Sequence, residues 1–323
     1  MATVDLTTPI PAPDTLLEAL PRRVTLTLSE LQTAARLAGD APLPFDLTAP
    51  GPGALEDRMG QSRGSIEDTA YVAALGTLHD PIESLTRRGL LDGDTLDPGL
   101  DPGLDPGLDP GLDHGLAGAI GLLATPEVAL DLEVRVEQVQ AKAWHREAGG
   151  AVATLATVDG IVFELAWYDA PQWPHELARA AVVPEDVPLT TSAFPWMVDL
   201  PFDLASGAAE ALRTGRGDLL PVLVSQHSGG IVDGDGQPVP DLDVQTMLPA
   251  LFDETRGRLR AMVTDLSSGA ASVVGVVSWV LLADGWRALR PHQHGDEPRV
   301  EVSAVAPEDL AAELAPVLAE VTR

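Results

Sequence analysis

The run Val128-Ala129-Leu130-Asp131-Leu132-Glu133-Val134-Arg135-Val136 decides the fold class. Val128, Leu130, Leu132, Val134 and Val136 alternate with Ala129, Asp131, Glu133 and Arg135. Such period-two alternation puts one row of side chains in a core and the other in water, as in an antiparallel sheet with one wet face. The strand is expected to run on toward His145, and Gly149-Gly150 supplies a turn. A second strand follows over Ala151–Thr157. Asp159-Gly160 carries hairpin-turn chemistry, and a third strand covers Ile161–Trp167. Pro174–Val182 reads as a helix.

The same order recurs near the C-terminus. Arg258–Leu266 reads as a strand, Ser267-Ser268-Gly269 as a turn, and Ser272–Leu282 as a long apolar strand. Asp284-Gly285 turns the chain into Trp286–Leu289. An irregular segment, a short strand at Val300–Val302 and a terminal helix opened by Pro307 complete the half. The apolar stripe of that helix includes Leu314 and Leu318, and Pro316 should kink it. Helices are also expected over Leu204–Arg213 and Leu242–Thr255, the latter interrupted at Pro249. The expected fold is therefore α+β, an antiparallel sheet with flanking helices and quasi-twofold duplication. The halves are residues 23–190 and 191–323, after a loose arm over 1–22.

Upstream, Val24, Leu26 and Leu28 alternate with threonines and predict a strand. Ser29 and Gln32 have the spacing of a capping box for a short helix that Gly39 ends. Leu43–Leu47 reads as a short strand, and helices are expected at Ser65–Leu78 and Ile82–Leu90. Residues 96–115 repeat Leu-Asp-Pro-Gly from Leu96, Leu100, Leu104 and Leu108, ending in a degenerate copy at Leu112. Pro followed by Gly every fourth residue is turn chemistry, which reads as a surface loop.

Composition removes whole classes of function. The 323 residues contain no cysteine, which excludes disulfides, thiolate nucleophiles and Cys-ligated zinc. The single lysine, Lys142, sits in an alternating stretch and suits neither a phosphate-binding loop nor a Schiff base. A net charge of −29 opposes binding to nucleic acid or an anionic membrane surface. No apolar run reaches the ~18 residues of a membrane span. The acidic, Pro-rich start lacks a signal-peptide pattern, so a cytoplasmic location is expected.

Candidate chemistry is sparse. His292 and His294, with Asp296, offer an H-x-H pair, but Pro291, Gly295 and Pro298 predict a loop there and no third ligand is evident. Gln226-His227-Ser228-Gly229-Gly230 lacks the first glycine of a nucleophile elbow. Asp233, Asp235, Asp241 and Asp243 fail the EF-hand pattern, with Pro238 at the sixth position and Val244 at the twelfth. Glu164 is expected on a wet strand face. No catalytic residue, metal or cofactor is therefore assigned. Trp167 and Trp279 are expected in the core, whereas Trp173 and Trp196, beside prolines, are candidates for exposure at an interface.

Several patterns resemble the EspG family, chaperones of the actinobacterial ESX (type VII) secretion systems. They are Val24–Leu31 followed by Leu43-Pro44-Phe45-Asp46-Leu47, and Arg88-Gly89-Leu90-Leu91-Asp92. Pro126-Glu127-Val128 opens the alternating strand, and Trp279, Asp284-Gly285-Trp286 and Pro291 precede the last helix. The resemblance implies a non-enzymatic, cytosolic chaperone that binds the hydrophobic tip of a PE–PPE heterodimer, or an analogous ESX substrate. It implies a partner surface near His145, Arg146, Glu147, Gly149 and Gly150. It further implies contacts from Val244, Met247, Leu248, Leu251 and Phe252, and from Leu314 and Leu318 of the terminal helix. Two alternatives stand beside it. A metal-assisted hydrolase built on His292 and His294 would hold stoichiometric metal, and an adaptor would bind other secretion components.

Overall fold

The structure is a computed structural model that describes residues 22–45, 80–92 and 111–321. Residues 1–21 of the expected arm, the Ser65–Leu78 helix and the repeat as far as residue 110 lie outside those residues, while Arg22 already belongs to the first strand. The chain divides into two compact units. One comprises Met1–Leu130, Ala141–Gln172 and Asp265–Ser272; the other comprises Asp131–Gln140, Trp173–Thr264 and Val273–Arg323.

In the first unit, β1 (Arg22–Thr27) pairs antiparallel with β5 (Val162–Asp169), from Arg22 opposite Trp167 to Thr27 opposite Val162. Helix α1 (Leu28–Leu37) begins directly where β1 ends. Its capping box is Thr27 and Glu30, not the expected Ser29 and Gln32. The Thr27 hydroxyl accepts from the Glu30 N–H, and the Glu30 carboxylate accepts from the Thr27 N–H at 2.8 Å. Thr27 still has the extended backbone of β1, as an N-cap requires, so the helix starts two residues early. Gly39, at φ 88°, ends the turn after α1. Of the expected strand Leu43–Leu47, the described part is irregular, with a bend at Pro44-Phe45, and Asp46 and Leu47 lie outside the described residues.

Helices α2 (Pro81–Arg87) and α3 (His114–Ala124) pack with α1 over β4 (Ala151–Thr157) and β5. Leu26, Leu31, Leu116, Ile120, Leu155 and Leu165 are fully buried there. Each contributes about 1.5–3 kcal/mol relative to exposure. Trp167 joins this core from its margin. A Cβ at Gly115 would stand 2.9 Å from its ring, so only glycine lets α3 lie this close to β5.

The deciding run forms β2 (Val128–Val136), but the strand does not continue to His145. Glu137 and Gln138 turn the chain into β3 (Val139–Ala148). Glu137 takes φ 54°, its N–H donates to the Arg256 carbonyl, and its carboxylate accepts from Arg256 Nε at 2.8 Å. Those bonds hold a left-handed conformation that Glu alone disfavours.

The second unit holds α4 (Trp173–Ala181), β6 (Met197–Pro201), α5 (Phe202–Arg213), α6 (Leu220–Gln226), β7 (Val232–Asp233) and α7 (Asp241–Asp253). Then come β8 (Gly257–Asp265), β9 (Ser272–Leu282), β10 (Gly285–His294), β11 (Glu297–Val305) and α8 (Leu310–Val321). The expected irregular segment around His292–Pro298 is instead the end of β10, a turn at Gly295-Asp296 and the start of β11. Pro291 is tolerated because β10 pairs with β9 only as far as Leu289, so no ladder bond on that side needs its missing N–H.

From Trp279 to Leu282, strand β9 is apolar on both faces because both are covered. Val280 and Leu282 enter a core with α5, α6 and α7. On the other face Trp279 lies 6.2 Å from Trp286, whose Nε1 donates to the Ala181 carbonyl of α4 at 2.8 Å. Gly275 meets Val317 of α8.

The eleven strands follow the order β1-β5-β4-β3-β2-β8-β9-β10-β11-β6-β7. The fold is thus α+β, a large antiparallel sheet with eight α-helices among the described residues. Each expected meander has four strands, β2–β5 and β8–β11; this order does not by itself establish a duplication. No helix among the described residues is long and apolar enough to cross a membrane.

Candidate functional site

The second unit holds an apolar groove of about 420 Å³. One wall is α5, through Ala205, Ala208, Ala209 and Leu212. The other is α7, through Leu248, Leu251 and Phe252, with Thr255 after it. Arg258, Val280 and Leu289 form the floor from β8, β9 and β10. The groove exists because three alanines on α5 are too short to fill the space to α7. Pro249 sits inside α7 without ending it, at the loss of one helical N–H. Below the groove, Val244, Met247 and Leu248 are buried against the sheet. Phe252 remains 46% exposed at the lip.

Arg258 and Arg260 occupy alternate positions of β8 and are both exposed. Neither forms an ion pair with another described residue. Only Arg258 lines the groove, with Arg260 two residues farther along β8; in a chain of charge −29 this pair is a local exception. The site therefore offers an apolar slot with a basic margin.

The sequence-predicted partner residues fall into distinct settings. His145 is buried in the first unit, its Nδ1 2.8 Å from the Thr154 hydroxyl, which lies 2.7 Å from the Tyr168 hydroxyl. Arg146 is also buried, and its Nη1 donates to the His145 carbonyl at 2.9 Å. Gly149 and Gly150 form the exposed β3–β4 turn at φ 59° and 83°, and the Gly150 N–H donates to the half-buried Glu147. Leu248, Leu251 and Phe252 come together in the groove, while Leu314 is buried and Leu318 half-buried on α8. Burial thus leaves Glu147, Gly149, Gly150, Leu251, Phe252 and Leu318 as accessible members of the set. The α5 alanines and the β8 arginines were not anticipated. The small residues Ala205, Ala208 and Ala209 on one helix were the available signal.

The candidate chemical groups have other partners. His292 lies on a strand, and its Nε2 is 3.0 Å from Asp199 Oδ1. Arg299 Nε donates to the other oxygen of Asp199 at 2.9 Å. Asp233 accepts from the N–H groups of Asp235 and Gln237, closing its own turn. His227 caps the C-terminus of α6. Glu164, expected on a wet face, is half-buried and accepts from Arg23 at 3.0 Å. No group of three or more His, Asp or Glu among the described residues is arranged to hold a metal ion. Of the tryptophans, Trp279 is buried as expected, and Trp286 is buried as well; Trp173, a candidate for exposure, is instead buried at the start of α4. Trp196 is 64% exposed, its ring lying on Gly234.

Fold and site together define an α+β chain with an open apolar groove. No family model matches the sequence, and no curated protein matches it. Among solved structures, the fold is similar to that of the Mycobacterium tuberculosis type VII secretion system chaperone EspG5, solved in complex with a PE25–PPE41 dimer. The likeness has a TM-score of 0.53 at 10% identity, covering 92% of this chain and 96% of the other. The resemblance seen in the sequence is thus met at the level of fold.

Proposed function

We propose that this protein is a cytoplasmic, non-enzymatic specificity chaperone of a type VII secretion system. It binds the exposed apolar tip of a PE–PPE-type substrate and keeps that substrate soluble until secretion. The observation that carries this reading is the fold likeness to EspG5 over nearly the whole of both chains. The groove between α5 and α7 supports it. Leu251 and Phe252 offer apolar surface to a protruding hydrophobic residue, and Arg258 and Arg260 offer charge to acidic groups beside it. The remaining bets are the β3–β4 turn around Glu147, Gly149 and Gly150, and Leu318 of α8. By mass action, covering an apolar tip removes it from aggregation in proportion to ligand occupancy.

The test is co-expression with PE–PPE pairs, or with the ESX substrates encoded nearby, followed by size exclusion. Co-elution in a fixed ratio, with more soluble partner than when the partner is expressed alone, is the expected result. Separate elution of every pair tried, with no gain in solubility, overturns the reading.

A further inference from the structure

Trp196 is the only exposed tryptophan among the described residues, and the chain fixes it in place. Its carbonyl accepts from the Ala304 N–H of β11 at 2.7 Å. One face of its six-membered ring rests on Gly234. A Cβ at that glycine would stand 2.1 Å from Cζ2, 2.6 Å from Cη2 and 2.8 Å from Cε2, so no larger residue fits beneath the ring. The glycine is itself fixed by the turn that carries it. Asp233 Oδ1 accepts from the N–H groups of Asp235 and Gln237, and the Asp233 N–H donates to the Gln237 carbonyl. The opposite face of the indole is left open, and no described residue makes a ring contact with it. A side chain held in this way binds without first being ordered.

The charge around this platform has one sign. Asp235, next to the supporting glycine, is exposed, and its carboxylate takes no hydrogen bond or ion pair from another described residue. Neither residues 180–212, which carry Trp196, nor residues 217–255, which carry Gly234, contain a lysine or arginine. On the neighbouring strands, Arg299 and His292 are already bound to Asp199. The face of an indole is electron-rich and attracts cations, guanidinium above all. An open aromatic face and an unpaired carboxylate thus stand one residue apart, and the chain supplies no cation of its own to either.

We propose that Trp196 and Asp235 form a recognition site for an arginine side chain of a partner protein. The guanidinium stacks on the indole and donates to the Asp235 carboxylate. An acidic segment would be repelled by Asp235, and a purely apolar one would cover that carboxylate without pairing it. The site shares no residue with the lining of the α5–α7 groove, and the inference does not depend on the chaperone reading.

The experiment titrates the full chain into a fluorescein-labelled peptide of alternating arginine and glycine, read by anisotropy. A chain of charge −29 attracts any cationic peptide, so the variants decide the result. Trp196→Leu keeps an apolar contact on Gly234 but removes the aromatic face. It should weaken binding about fivefold with unchanged melting. Asp235→Asn should weaken binding by a similar factor. Asp169→Asn, which removes the same charge from an exposed position on β5 of the first unit, should not. A lysine–glycine peptide should bind more weakly and lose less on Trp196→Leu, because an ammonium does not stack. If Trp196→Leu melts early, the comparison of Asp235→Asn with Asp169→Asn carries the test. Equal affinity in wild type and both site variants overturns the proposal and leaves the peptide held by overall charge. Absence of binding at millimolar peptide overturns it as well.

Discussion

Arg88 joins Glu30 to the edge of the sheet: Nη1 donates to the Glu30 carboxylate at 3.0 Å, and Nη2 to the Thr25 carbonyl at 2.6 Å. Thr25 belongs to β1, the terminal strand of the sheet order. One guanidinium thus compensates a buried carboxylate and occupies a carbonyl that an incoming strand would need. Charge placed on an edge in this way discourages pairing with other chains.

Burial works to raise the Glu30 pKa, but the Thr27 N–H, the Ser84 hydroxyl and Arg88 outweigh it and hold the carboxyl below its ordinary 4.5. A carboxyl depressed in the folded state stabilises the fold above its unfolded pKa. That stability is lost as pH falls through the folded pKa. Glu30→Gln should therefore cost about 1–3 kcal/mol at pH 7. Its deficit against wild type should shrink as the pH drops from the ordinary value of 4.5 through the lowered one. Urea denaturation at neutral and acid pH checks this. A deficit independent of pH would show that the charge of Glu30 is not what the Arg88 contact uses.

Two glycines should respond to alanine with opposite sign. Gly207 lies inside α5, and a Cβ there would meet Leu223 at an ordinary 3.6 Å. Gly207→Ala should stabilise by about 0.5–1 kcal/mol, through lost chain entropy in the unfolded state. Gly257 begins β8, where a Cβ would stand 2.5 Å from the Arg135 carbonyl oxygen and 3.2 Å from Leu281. The first obstacle is backbone and cannot rotate away, so Gly257→Ala should destabilise by about 1–3 kcal/mol. Thermal melts of the two variants should move in opposite directions.

The fold was legible where periodicity and turn residues agreed. Ala151–Thr157 and Ser272–Leu282 have the expected bounds, because Gly-Gly, Asp-Gly and Ser-Ser-Gly mark their ends. The β2–β3 turn was missed because Glu137-Gln138 carries no turn chemistry and is fixed by Arg256, far along the chain. A local signal did exist. The apolar row shifts from even positions, ending at Val136, to odd ones at Val139, Ala141 and Ala143, a change of parity that one regular strand cannot make. The His292–Pro298 strands were missed because proline and glycine there read as loop, while the pairing that overrides them is tertiary. Short β6 and β7 and helix α6 lack periodicity long enough to read. At the groove, the sequence pointed to α7 but not to α5, since which helix faces which is set by packing. For the same reason it did not show that Val244, Met247 and Leu314 would be buried.

The groove can be tested without disturbing the core. Phe252 is 46% exposed, so Phe252→Glu should shift stability by no more than about 0.5 kcal/mol. If the groove takes an apolar side chain of the partner, the same change puts a charge in a desolvated contact. Co-elution with a PE–PPE-type partner should then be lost. Met247→Ala provides the contrast, because Met247 is buried beneath the groove. It should cost about 2–5 kcal/mol of stability. Retained binding by Phe252→Glu would move the partner surface away from the groove.

The arginines of β8 give a prediction with a different readout. Arg258 and Arg260 are exposed and form no ion pair with another described residue, so reversing their charge breaks no internal bridge. Arg258→Glu/Arg260→Glu should fold and melt like wild type. If they meet acidic groups of the partner, the variant binds more weakly, mainly through slower association. Its affinity should also fall less between 0.05 and 0.5 M salt than wild type's, because the screened attraction is gone. Binding titrations at both salt concentrations separate this outcome from a general loss of fit, which lowers affinity equally at each. A wild-type affinity that rises with salt would mean that the overall −29 charge, rather than this local basic margin, governs the encounter.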